Sequence, residues 1–117
     1  MRLRSDFWVK AYLRQAAVGG CPGAVVRHGD DTAGAIFIKV NRLDGTVALF
    51  GPAPAGLDDA DNDRRFMAIH GDRPVPESEA DALLAREARF DSDLWVIEIE
   101  SSGDAHFFDG WLLATPT

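Results

Sequence analysis

The sequence feature that most constrains the fold is the pair Asp44-Gly45, which stands between two runs of strand-forming residues. The run before the pair is AIFIKV (35–40), and the run after it is TVALF (46–50). An Asp-Gly between alternating or β-branched residues is the strongest short-range signal for a β-hairpin. We therefore predict that Ile36–Val40 pairs with Val47–Phe50 in an antiparallel hairpin.

Two helices and several more strands are expected around this hairpin. Ser5 is a suitable N-cap for a first helix that Gly19-Gly20 ends, and Pro76 suits the first turn of a second helix. The polar stripe of the first helix is narrow, so this helix should be buried on more than one side. The further predicted strands are AVVRH (24–28), RRFMAIH (64–70), LWVIEIE (94–100) and HFFDGWLL (106–113).

Tight turns join most of these strands, and this arrangement favours antiparallel pairing. The length of 117 residues corresponds to one domain, which we expect to span residues 1–117. The predicted fold is therefore α+β: a single antiparallel sheet of about five to six strands, with two helices packed mainly on one face.

Charge and composition exclude several classes of function. There are 12 Lys and Arg against 19 Asp and Glu, a net charge of −7, which opposes nucleic-acid binding and favours a basic partner. No run approaches the roughly 18 apolar residues of a membrane span, and the N-terminus lacks the apolar stretch of a secretory signal. With one cysteine, Cys21, no intramolecular disulfide can form. We therefore expect a soluble cytoplasmic protein.

The end of the 94–100 strand is the one place where side chains suggest chemistry. Side chains alternate along a strand, so Trp95, Ile97 and Ile99 should face a core while Glu98 and Glu100 share the opposite face. On the structural interpretation, which we prefer, this is a solvated strand end at which Lys39 pairs with Glu98 or Glu100 if their strands are neighbours.

A second interpretation makes the same residues a divalent-metal or acid/base site. Glu87 would join Glu98 and Glu100, because it falls near the middle of the apolar stripe of the second helix, where a charge needs a partner. The sequence contains no P-loop, dinucleotide-binding glycine motif, nucleophile elbow or HExxH motif. We therefore predict no cofactor and assign no catalytic residue.

Three segments resemble a known protein family. LRSDFWVKAYLRQ (3–15), AGAIFIKVNRLDG (33–45) and LAREARFDSDLWVIEIE (84–100) together are similar to the bacterial family called Domain of Unknown Function 1491. The resemblance implies a short, stand-alone, cytoplasmic protein with no assigned activity, and it supplies no catalytic residues.

The function favoured by the sequence is a non-catalytic interaction or structural module that forms a homodimer or binds another protein. Exposed apolar surface on the first helix and near the C-terminus would form the interface. The alternatives are a small metal-assisted hydrolase and a small-ligand-binding protein, both using the acidic residues near the end of the Leu94–Glu100 strand. The candidate interface residues are Phe7, Trp8, Phe107, Phe108 and Trp111.

Overall fold

The computed structural model of the protein describes residues 3–54, 64–71 and 73–103. They form two helices and a six-stranded open sheet, which confirms the α+β class. The predicted strand at 106–113 lies outside the described residues. In chain order the elements are α1 (Ser5–Val18), β1 (Gly23–Arg27), β2 (Ile36–Asn41), β3 (Thr46–Pro52), β4 (Phe66–Ala68), β5 (Val75–Pro76), α2 (Glu77–Phe90) and β6 (Trp95–Glu100).

The predicted hairpin is present and consists of β2 and β3. The two strands pair antiparallel, with Ile38 opposite Phe50 and Asn41 opposite Val47. Gly45 has φ of 89°, a left-handed conformation that glycine adopts at little cost. The Asn41 side chain accepts a hydrogen bond of 2.8 Å from the N–H of Leu43, which also has a positive φ. The local sequence therefore specifies this turn, as expected.

The sheet is mixed, and this corrects the expectation of purely antiparallel pairing. Its strand order is β1-β6-β2-β3-β4, and β5 pairs with β3. β2 and β6 lie side by side and run parallel, with Ile36 opposite Trp95 and Lys39 opposite Glu98. A parallel pair needs a long crossover between its strands, usually a helix, and α2 leads directly into β6. Turn signals within the hairpins give no information about this distant pairing.

The two helices pack against opposite faces of the sheet, not mainly on one face as the sequence suggested. Side chains of α1 share a core cluster with Ile36 and Ile38 of β2, whereas side chains of α2 share a second cluster with Phe37. Because alternate residues of a strand point to opposite faces, these two clusters lie on the two sides of the sheet. The same alternation along β6 confirms the expected core positions of Trp95, Ile97 and Ile99, which are all buried.

Ser5 is the first residue of α1, not its cap. Arg4 occupies the N-cap position and makes no side-chain capping bond. The fully buried Ser5 hydroxyl instead donates to the carbonyl oxygen of Gly34 at 2.7 Å and accepts from Nη2 of Arg64 at 2.9 Å. The serine therefore joins the start of the helix to two segments that are distant in the chain.

Candidate functional site

The described residue with the most unusual electrostatic environment is Lys39, in the middle of β2. Its side chain is only 7% exposed, and its ammonium group contacts three carboxylates. The distances from Nζ are 2.6 Å to Oε2 of Glu77, 2.8 Å to Oδ1 of Asp81 and 3.4 Å to Oε1 of Glu98. We call these four residues the Lys39 cluster. One positive charge thus faces three acidic groups.

Three elements place these groups together. Lys39 points to the α2 side of the sheet, because it alternates with the α1-facing residues Ile38 and Val40. Glu77 and Asp81 are four residues apart on α2, so they lie on one side of that helix. The third carboxylate, Glu98, is opposite Lys39 in the parallel register.

The environment keeps Lys39 charged. Burial lowers the pKa of Lys39, but the hydrogen bonds that it donates to Asp81 and Glu77, together with the charge of Glu98, outweigh burial and raise the pKa above its ordinary value. A lysine that acts as a base or nucleophile needs a lowered pKa. The Lys39 cluster is therefore suited to holding α2 on the sheet and not to proton transfer by Lys39.

The carboxylates proposed from the sequence occupy different environments. Both oxygens of Glu98 have partners, because Oε1 faces Lys39 and Oε2 accepts from Nδ2 of Asn41 at 3.1 Å. Glu100 is exposed at the end of β6, and Glu87 is half-buried on α2. The ion pair expected between Lys39 and the acidic strand end is thus formed with Glu98.

The metal-site hypothesis finds no group of ligands in the described part of the chain. Within residues 3–54, 64–71 and 73–103, no group of three or more His, Cys, Asp or Glu side chains is arranged to hold a metal ion. In the Lys39 cluster, the lysine ammonium already occupies the space between the carboxylates. The arrangement resembles a metal site in which the ammonium group of Lys39 takes the place of the metal ion.

Glu77 and Asp81 are the partners that the sequence interpretation missed. Two acids at positions i and i+4 of a helix repel each other unless a cation lies between them. The segment ESEAD (77–81) contained this signal, but nothing local indicated that the cation was Lys39, about 40 positions earlier in the chain. The contact depends on the packing of α2 over β2.

A shallow groove adjoins the Lys39 cluster between α2 and the edge strand β1. One cavity of about 220 Å³ is bordered by Val26 and Val96 below and by Leu84 and Ala88 of α2 above. A second cavity of about 360 Å³ also includes Val26 and extends to Glu98 and Glu100. The two cavities meet at Val26, and we call the pair the α2–β1 groove.

The candidate interface residues differ in their exposure. Phe7 is 54% exposed on α1, and the guanidinium of Arg4 lies 5.5 Å from the centre of its ring. Trp8 instead packs in the core, with its ring stacked on Tyr12 and next to Phe66, so it is not a surface residue. Within this chain, the buried residues of α1 follow one side of the helix. The C-terminal candidates Phe107, Phe108 and Trp111 lie outside the described residues.

The most exposed regular element is β1. All five of its residues are exposed, including Val25 at 41% and Val26 at 61%. In the part of the chain that the structure describes, β1 pairs only with β6. This surface was not identified from the sequence, because AVVRH has the composition of an ordinary strand and edge position depends on the strand order.

The fold and its electrostatics define a small α+β protein with a mixed sheet between two helices and a lysine held by three carboxylates. The chain belongs to the family of proteins of unknown function DUF1491, whose model matches residues 3–109. This confirms the resemblance noted from the sequence segments. No activity is assigned to the family, and no curated protein matches the chain.

Solved structures support the same assignment. The chain is similar to protein Atu0922 from A. tumefaciens, with 40% identity, a TM-score of 0.81, and coverage of 99% of this chain and 98% of that chain. It is also similar to a DUF1491 family protein from Caulobacter crescentus CB15, whose crystal structure gives 37% identity and a TM-score of 0.78 over 97% of this chain and 100% of that one. Neither described helix has the length and apolar character that crossing a bilayer requires.

Proposed function

We propose that the protein is a non-catalytic, cytoplasmic interaction module that forms a homodimer through the edge of β1. The observation that carries this proposal is the exposure of every residue of β1 at the edge of the described sheet. An exposed edge offers unpaired backbone N–H and C=O groups to a strand of another chain. Apolar side chains at 41% and 61% exposure, Val25 and Val26, flank this edge.

A second copy of the chain is a suitable partner for this edge. In the antiparallel ladder with β6, alternate residues of β1 direct their backbone polar groups away from β6. Two copies related by a twofold axis would pair β1 with β1 antiparallel, so the same surface serves both subunits. The only charged residue of β1, Arg27, is at its C-terminal end, and antiparallel pairing separates the two arginines.

Two features limit the strength of this dimer. The register between β1 and β6 shifts between Val25 and Arg27, and such an irregularity bends an edge strand and shortens the stretch available for pairing. Two chains that each carry a charge of −7 also repel each other at long range. We therefore expect a reversible, concentration-dependent dimer that becomes tighter as added salt screens the repulsion.

Sedimentation equilibrium over a range of protein concentrations tests this function. Val25→Lys places a charge at the centre of the edge and should raise the dimer dissociation constant by at least about tenfold, or about 1.4 kcal/mol. Val18→Lys is the matched control, because Val18 is 85% exposed at the end of α1 and is not part of β1. A wild-type protein that remains monomeric at about 0.5 mM, where even weak association with millimolar affinity is detectable, would overturn the proposal.

A further inference from the structure

We infer that the α2–β1 groove is a docking site for an amphipathic segment of a partner protein, with apolar side chains on one side and basic side chains on the other. This inference goes beyond self-association and concerns a neighbouring surface that has Val26 in common with the edge of β1. The dimer uses the edge of β1, whereas the groove lies on the sheet face beneath α2. The side chain of Val26 lines the groove, and the side chain of Val25 is opposite the α1-facing Ile97.

Among residues 3–54, 64–71 and 73–103, only half of the sheet face next to the groove is covered. The buried side chains of α2 pack over β2, β3 and β5, where Phe37, Val47 and Val75 belong to the same core cluster. On the same face, Ala24 and Val26 of β1 remain exposed. A sheet face normally packs against another layer of secondary structure, so the half that the described residues leave uncovered can accommodate one more element beside α2.

The lining of the groove indicates the chemistry of its occupant. Its floor and its α2 wall are mostly apolar. Acidic groups border both ends, with Asp81 at the first cavity and Glu98 and Glu100 at the second. The apolar residues are Pro22, Ala24, Val26, Leu84, Ala85, Ala88 and Val96.

The positive charges in the groove do not cancel this acidity. Lys39 is shared among three carboxylates, so the Lys39 cluster has a net charge of about −2 when all its groups are ionised. Arg27 is the other cation on the wall, and its single positive charge is smaller than the combined negative charge of the Lys39 cluster and Glu100. A segment with lysine or arginine beside its apolar stripe matches this pattern, whereas another acidic chain does not.

The length of α2 makes a helix a suitable form for the occupant. α2 has 14 residues, about 21 Å at the usual rise per residue, and the groove follows its side from Asp81 to Ala88. An amphipathic helix that lies in a groove uses anchors at positions i, i+3, i+4 and i+7. Such a helix beside α2 would bring its apolar anchors over Val26 and its basic residues towards Glu100.

Fluorescence anisotropy with a defined peptide tests this inference. The probe is a labelled synthetic helix of about four turns, with leucine at the anchor positions and lysine elsewhere. A peptide of identical composition in scrambled order, without an apolar stripe, is the comparison. The protein carries Val25→Lys in every titration, which weakens the dimer and so reduces its effect on peptide binding.

The striped peptide should bind with micromolar affinity at low ionic strength and at least about tenfold more tightly than the scrambled one, a difference of about 1.4 kcal/mol. Added salt should weaken this binding, whereas it should strengthen the dimer. Val26→Ser removes the central apolar contact and should weaken binding about tenfold. Glu100→Gln should weaken it about threefold, the range of an exposed ion pair.

Matched variants separate docking in the groove from general attraction to an acidic protein. Val18→Ser and Glu79→Gln are the controls for the groove variants, because they change an exposed valine and an exposed glutamate that do not line the groove. Both should leave the affinity for the peptide unchanged. Equal affinity for the two peptides, no binding at about 0.5 mM protein, or equal losses in the groove and control variants would each overturn the inference. None of these results bears on the homodimer, which sedimentation measures separately.

Discussion

The Nζ of Lys39 lies 2.6 Å from Oε2 of Glu77, so an ion pair joins a central strand of the sheet to the first residue of α2. Asp81, one turn later, accepts a second hydrogen bond from the same ammonium at 2.8 Å. α2 begins directly after β5 and has no side-chain cap. The buried lysine therefore fixes the start of this helix over the sheet.

Replacement of Lys39 should destabilise the protein strongly. Lys39→Met removes the cation and leaves three carboxylates close together, so we expect the free energy of unfolding to fall by about 3 kcal/mol, the lower end of the range for a broken buried pair. The partners Glu77 and Asp81 are 43% and 55% exposed, and water can partly replace the lost contacts. Urea denaturation measures the change.

Lys10→Met is the matched control for this substitution. Lys10 is the other lysine of the chain and is exposed on α1, so the change should stay within about 0.5 kcal/mol of wild type. If the two methionine variants were equally stable, the Lys39 cluster would have no stabilising role.

Above the pH range in which carboxylates are protonated, the contribution of Lys39 should depend on pH only under alkaline conditions. Because the pKa of Lys39 is raised in the folded state, its stabilisation is fully present below the ordinary lysine pKa of about 10.4 and is lost as the pH rises through the folded value. The stability difference between wild type and Lys39→Met should thus be constant from about pH 7 to pH 10. A difference that already disappears near pH 8 would show that the lysine is not held in its charged form.

Tyr12 should resist ionisation in the folded protein. Burial, with a smaller effect from the neighbouring Cys21, raises the pKa of its phenol above the ordinary value of about 10. It is the only tyrosine of the chain, so ultraviolet absorbance of tyrosinate reports on this residue alone. The urea-unfolded protein should titrate near pH 10, whereas the native protein should show no tyrosinate at that pH.

The same shift predicts a loss of stability at high pH. A raised folded pKa means that the unfolded state releases its proton first, so Tyr12 reduces the stability as the pH rises above about 10. Circular dichroism at each pH establishes that the native titration refers to folded protein. A native titration near pH 10 with unchanged dichroism would contradict the buried position of this side chain.

Ser5→Ala should show how much the buried hydroxyl contributes to stability by joining distant segments. The substitution removes the bond to Gly34 and the acceptor for Arg64, and it should cost about 1–3 kcal/mol because the atoms are buried. A double-mutant cycle with Arg64→Met separates the contact between Ser5 and Arg64 from local effects on the helix. Purely additive losses would be consistent with a local effect on the helix, whereas a coupling energy of about 1 kcal/mol is expected here.

Gly29→Ala should destabilise the protein, because the 28–34 segment packs closely against the residues just before β6. A Cβ at this position would overlap the carbonyl oxygen of Asp93, which accepts a 2.9 Å hydrogen bond from the N–H of Asp30. We expect a loss of about 1–3 kcal/mol, typical of overpacking. Gly103→Ala is the control, because no atom of the described residues lies within 4 Å of its added methyl group. Equal thermal midpoints for the two variants would contradict this packing.

Local patterns in the sequence determined much of the secondary structure. The Asp44-Gly45 turn predicted the β2–β3 hairpin, because turn type and strand propensity act over a few residues. Alternation along β6 likewise identified its core face, and the paired glycines marked the end of α1. The same alternation predicted an ion pair between Lys39 and Glu98 or Glu100, on the condition that their two strands are neighbours in the sheet.

Only the tertiary structure decided the strand order, the side on which each helix packs and the full set of partners around Lys39. The parallel pairing of β2 with β6 joins segments more than 50 residues apart, and it depends on burying both faces of these strands beneath different helices. That pairing leaves β1 at the edge of the described sheet and brings Glu77 and Asp81 over Lys39. The sequence contained each of these side chains, but the shared burial of apolar surface between distant segments determined which of them meet.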